Sequence, residues 1–155
     1  MATWQDILDS DPDLGANAPR LLRPDGTGFA FLATVSRAGS PRVHPVVPIV
    51  ADGRLHLYVV SFSPKHGDLL RNGRYALHST LTSEGGEEFY VTGRASRIDD
   101  PERRATVTTA SGNRLGHNDF ETLFELHIEH VLYTHWDNWG TAQTWPRYTR
   151  WPASS

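Results

Sequence analysis

The chain alternates between two hydrophobic periods. Near the N-terminus, Trp4, Ile7 and Leu8 recur at i, i+3 and i+4 behind Thr3, which predicts a short capped helix. The stretch "APRLLR" predicts a second short helix, stopped by Pro24 and Gly26. The period then shortens. "GFAFLATVS" (28–36), "PRVHPVVPIV" (41–50) and "LHLYVVS" (55–61) are apolar and rich in β-formers, separated by "SRAGS" and by "ADGR", a hairpin turn carrying Asp-Gly. "RYALHSTL" (74–81) predicts a fourth strand. "SEGGEE" is expected to be a loop, and "EFYVTGRASRI" (88–98) a fifth strand in which Gly93 marks a bulge or bend. A helix is expected over 99–110, with Asp100 at its N-cap and Pro101 at N1. In "TLFELHIEHVLYTHW" (122–136), Phe124, Leu126 and Ile128 alternate with Glu125, His127 and Glu129, giving a sixth strand. The tail from Trp136 to Trp151 offers a last one.

Six or seven mainly antiparallel strands must close or stack to bury their inner faces. A small barrel with short flanking helices fits best, and a β-sandwich is the runner-up. The length of 155 residues fits one domain, 1–155, with N-terminal helices over 1–27 and a Trp-rich tail over 136–155.

The segment 63–72 lies between two strands and predicts a helix. Ser63 is placed to cap it, Pro64 fits N1, and Gly73 ends it. Its first turn holds Lys65, the sole lysine beside fourteen arginines. A cation there opposes the helix dipole unless an anion is present. Free N–H groups, a hydroxyl and an ammonium together suit a phosphate. On local features alone, a solvated lysine explains the position equally well. The second strand carries Pro41, Pro45 and Pro48, which suits an edge, and its Arg42 and His44 alternate onto one face.

Composition removes several chemistries. A net charge of -3 argues against nucleic acid as a partner. No cysteine is present, so thiol catalysis and zinc thiolate sites are out. No apolar run reaches membrane-spanning length and no signal peptide is visible, so the expected location is cytoplasmic. Among the eight histidines, His127 and His130 are three apart on a strand and should face opposite sides, so no metal site is expected. There is no G-x-S-x-G, P-loop or G-x-G-x-x-G motif.

Taken in order, "FLATVSRAGSPRVHPVVPIVADGRLHLYVVSFSPKHGDLLRNGRYAL" and "EFYVTGRASRIDDPERR" resemble the pyridoxamine 5'-phosphate oxidase-like flavin-binding proteins. The resemblance implies a mainly β fold, a six- to seven-stranded antiparallel split barrel. It also implies a homodimer with FMN at the interface and a small-molecule substrate. Arg42 and Lys65 would hold the FMN phosphate, helped by Ser63. Val43, His44, Val46 and Val47 would lie along the ribityl chain and ring. Tyr58 and Val59 would give backbone contacts, and Glu88 would reach from the second subunit. His66 stands where some relatives have a small residue. His44 is the candidate catalytic residue, since imidazole titrates near neutrality. The tail "HWDNWGTAQTWPRYTRW" lacks the Arg-x-His-Asp-Arg-like substrate clamp of the vitamin B6 oxidases. The implied activity is therefore an FMN-dependent oxidoreductase acting on some other substrate. A reductase using the deazaflavin coenzyme F-420, or a non-catalytic flavin or haem binder, are the alternatives.

Overall fold

The structure is a computed structural model that describes residues 1–81 and 85–153. Eight strands form one antiparallel sheet that curls without closing, as in a split barrel. In chain order they are β1 (Ala30–Val35), β2 (Pro41–Val46), β3 (Ile49–Ala51), β4 (Arg54–Val60), β5 (Arg74–Ser79), β6 (Glu87–Ile98), β7 (Glu121–Asp137) and β8 (Trp145–Trp151). Four helices flank them: α1 (Trp4–Ser10), α2 (Pro12–Leu22), α3 (Pro64–Asn72) and α4 (Pro101–Ala110). The spatial order is β2-β1-β5-β6-β7-β4-β3, with β8 added on β7. The open seam thus lies between β2 and the β3–β4 edge, and α3 follows directly from β4.

Alternation decides what each strand buries. Leu55, Leu57 and Val59 point inward from β4, and Phe124, Leu126 and Ile128 inward from β7; all join one core with Leu32, Leu77, Phe89 and Val91. Helices α1 and α2 close one end of that core with Trp4, Ile7, Leu14, Leu21 and Leu22. On the outer face, α4 lays Val107 over Ile49, Ala51 and Leu123 to form a second, smaller core.

Several local expectations change. The segment 41–50 is two strands, because the chain turns at Val47 and Pro48, a residue with no N–H for a ladder. Helix α2 begins at Pro12, well before "APRLLR", because Asp11 accepts a bond from the Asp13 N–H and Pro12 fits the first turn. The "SEGGEE" loop is shorter than expected. Glu87 and Glu88 already belong to β6, while Ser83 and Glu84 lie outside the described residues. Ser63 occupies the N-cap of α3 but does not cap it; its hydroxyl donates to the Val60 carbonyl at 2.7 Å.

Gly93 is the expected bulge. The β6–β7 register slips between Thr92 and Gly93, so that Thr92 faces His130 and Gly93 faces Ile128. A Cβ on Gly93 would sit 1.8 Å from the His127 carbonyl oxygen. The slip leaves Glu129 unmatched and places both Ile128 and Val131 in the core. Their neighbours His127 and His130 therefore share the outer face, instead of facing opposite sides as strict alternation predicts. Among the described residues, no group of three or more His, Asp or Glu is arranged to hold a metal, and no helix is long and apolar enough to cross a membrane.

Candidate functional site

The seam between β2 and β4 is organised by Asp68, a residue the sequence did not single out. It lies on α3 one turn after Lys65 and is 2% exposed. Burial alone would raise its pKa. The Thr34 hydroxyl donating at 2.8 Å, the Arg42 charge and a bond from Arg71 outweigh that and hold it below the usual carboxylate value. Thr34 and Arg42 face each other across β1 and β2, so one carboxylate ties both strands to α3. Arg71 also donates to the Val35 carbonyl, fixing the far end of the same strand.

Arg42 gives only its Nε to Asp68, at 2.9 Å. Among the described residues its two terminal nitrogens have no partner, and the side chain is 39% exposed. The guanidinium is thus aimed by a buried carboxylate while its donor fork stays free. Lys65 is half-buried and has no carboxylate partner among the described residues; burial lowers its pKa. His44, two residues along β2 from Arg42, keeps a buried Nε2 without a hydrogen-bond partner. Burial first, then the charges of Lys65 and Arg42, lower the His44 pKa, with Asp68 opposing. The charges of Arg42 and Lys65 both act on His44, so the three are read together as one cluster. It carries two positive charges and an unpartnered imidazole nitrogen, and its one carboxylate is already engaged. Such an arrangement offers donors suited to an anion.

The remaining expected residues are distributed around this cluster. Val46 is buried in the main core, and Val47 is half-buried in the turn after β2. Val43 alternates onto the opposite face from Arg42 and His44 and is 63% exposed. Val59 points into the core, while the Tyr58 side chain points to α4, where its hydroxyl donates to the Arg104 carbonyl at 2.9 Å. Beyond His56, β3 no longer pairs with β4, so that side of the strand at Tyr58 and Val59 is left uncovered by β3. Ser63 has its hydroxyl committed to Val60. His66 turns towards β7, sharing a 3.0 Å hydrogen bond with Thr122 and stacking edge-on against Phe124. Glu88 lies across the sheet on β6, opposite Thr134. Asp68 was missed because a carboxylate in a short amphipathic helix is ordinarily solvent-facing. The available signal was its spacing, one turn from Lys65 and beside Leu69, which puts it on the inward stripe.

Residues 23–135 match the sequence profile of pyridoxamine 5'-phosphate oxidase, well over half of the chain. The chain belongs to that family. The matched span holds the whole Arg42–Asp68 cluster and stops before the Trp-rich hairpin. Solved structures with the same fold include a protein related to general stress protein 26, of the pyridoxinephosphate oxidase family, from Clostridium acetobutylicum. It is 11% identical with a TM-score of 0.68, and the match covers 92% of this chain and 97% of that one. A haem-binding protein from Mycobacterium smegmatis is 18% identical with a TM-score of 0.63; the match covers 86% of this chain but only 57% of that protein. PhzG from Burkholderia lata, solved with tetrahydrophenazine-1-carboxylic acid, is 15% identical with a TM-score of 0.61, covering 96% and 86%. No curated protein matches the chain by sequence.

Proposed function

We propose that the chain is an FMN-binding oxidoreductase whose Arg42–Lys65 cluster receives the cofactor phosphate. The observation that carries this reading is the half-buried Lys65, without a carboxylate partner, beside an arginine whose free fork is aimed by buried Asp68. Burial costs Lys65 hydration that a bound anion would offset, and the free fork of Arg42 is placed to share that anion. A phosphate monoester fits the donor set, since the guanidinium offers paired N–H groups and the ammonium a movable point charge. The unpartnered His44 Nε2 gives the group a further hydrogen-bonding neighbour. When bound, a flavin supplies the redox chemistry; the chain's part is to bind it, orient it and shape the substrate pocket.

The site is completed, in this reading, by a second copy of the chain. Phe31 and Val43 stand 46% and 63% exposed on the outer side of β1 and β2, and Phe29 adds 56% just before β1. An apolar band on two paired strands next to a cofactor site suits a homodimer interface. The substrate, in this reading, is a small molecule.

The experiment is a spectrum and mass of whatever cofactor copurifies, followed by titration with FMN, coenzyme F-420 and haem. The reading requires FMN to bind tightly and saturably. Preferential binding of F-420 would keep the phosphate site and change the redox partner. A haem spectrum would place this chain with the haem-binding proteins that share its fold, and would overturn the proposal.

A further inference from the structure

Away from Arg42 and Lys65, a cavity of about 310 Å³ opens between α4 and the outer side of β3 and β4. Arg54 and His56 reach it from β4, Arg103 and Thr106 from α4, and Asp52 from the intervening turn. A helix-on-sheet seam is ordinarily apolar, and each polar group placed in one must recover its lost hydration. Here the recovery is incomplete. Glu125, 5% exposed on β7, is approached by Arg54 and Arg103 only at 3.4 Å each. Arg103 donates to Nε2 of His56 at 3.0 Å. His56 is 1% exposed, and burial first and Arg103 next push its pKa down to about 4, so the ring is neutral at neutral pH. With Nε2 accepting, the ring proton resides on Nδ1, which has no hydrogen-bond partner.

The donors outnumber the acceptors. Among the described residues, Arg54 makes only its contact with Glu125, and Arg103 only those with Glu125 and His56. Each guanidinium carries five N–H groups, so most of both forks is free. Glu125 offsets one of the two positive charges. The other is opposed by Asp52, which is exposed at the mouth and screened by solvent. The size lies at the lower end for small-molecule sites. A second groove shares Ala51, Asp52 and Thr106 with the cavity and runs on along α4, where Val50, Ala105 and Ala110 give it an apolar wall beside Thr109.

We propose that this cavity binds a small oxyanion with an apolar tail, its carboxylate or phosphate head taken by Arg54 and Arg103 and its tail lying in the groove along α4. His56 is a positioning residue that holds Arg103 by accepting one of its N–H groups. The site is separate from the flavin reading and stands or falls without it.

The test is a titration of the purified full chain with acetate, hexanoate and inorganic phosphate, read from the imidazole nitrogen signals of His56 by NMR. At least one probe should shift those signals saturably, and hexanoate should bind more tightly than acetate. Whichever head group saturates shows whether the site takes a carboxylate or a phosphate. Arg103→Gln and Arg54→Gln should each weaken binding about tenfold or more, the worth of one charged hydrogen bond. Arg54 is half exposed, so its variant should fold even where loss of Arg103 is not tolerated. Lys65→Ala should leave the titration unchanged. The proposal is overturned if no probe shifts His56 saturably, if both arginine variants bind as well as wild type, or if Lys65→Ala abolishes the response. Equal affinity for acetate and hexanoate would remove the tail groove from it.

Discussion

Replacing Lys65 by alanine separates a ligand-binding cation from a structural one. Lys65 makes no ion pair within the described chain, and burial holds its pKa below the ordinary lysine value of 10.5. Folding therefore opposes its charge. The penalty is present at neutral pH, where the ammonium is protonated in both states, and fades only as pH rises through the lowered native value. Removing the side chain should leave the cofactor-free protein as stable as wild type or slightly more so. Its effect on FMN should have the opposite sign. A hydrogen bond from a charged donor contributes about 1.5–3 kcal/mol. At 1.4 kcal/mol per tenfold, the FMN dissociation constant should rise about 10- to 150-fold. Fluorescence quenching of FMN titrated with protein gives the constant, and urea unfolding of the cofactor-free form gives the stability. A dissociation constant unchanged in Lys65→Ala would refute the phosphate assignment. A loss of cofactor-free stability would show that the lysine has a partner within the fold instead.

Asp68→Asn should weaken both the fold and the site. It keeps the Thr34 bond but loses charged bonds to Arg42 and Arg71, about 1.5–3 kcal/mol by urea unfolding. Wild type should also lose stability as pH falls from the ordinary carboxylate value of 3.8 through the lower native one, a slope Asp68→Asn should lack. His56 acts in a higher window. Its native pKa of about 4 lies below the ordinary 6.5, so the unfolded chain takes up the proton first and stability should fall by up to about 3 kcal/mol between those values; His56→Asn should flatten this part of the profile. Gly93→Ala should cost about 3 kcal/mol or more in thermal or urea unfolding, because its Cβ meets a backbone carbonyl that cannot move without breaking the β6–β7 bulge.

The sequence was most legible where a periodic pattern coincided with a terminating signal. Asp100 and Pro101 started α4, Gly73 stopped α3, and Asp52–Gly53 turned β3 into β4, each for a local steric or hydrogen-bonding reason. It was less legible where a long-range partner decided. The break at Val47 and Pro48 frees β2 to run with β1, while β3 pairs with β4. The unmatched Glu129 brings His127 and His130 onto one face, and only the facing strand shows it. Arg42 and Lys65 were singled out from charge and position. Asp68, which aims Arg42, was hidden because its two arginines and one threonine come from three separate elements. The Arg54–His56–Arg103–Glu125 network was hidden for the same reason, as α4 brings it together from distant segments.

The central claim is that Arg42 and Lys65 form the phosphate end of a flavin site. Its most direct measurement compares the binding of FMN and of riboflavin, which lacks the phosphate, to wild type and to an Arg42→Ala, Lys65→Ala double variant. Wild type should prefer FMN strongly and the double variant should bind the two alike, because only the phosphate contacts are lost. Equal affinity of wild type for FMN and riboflavin, or an undiminished preference in the double variant, would contradict it.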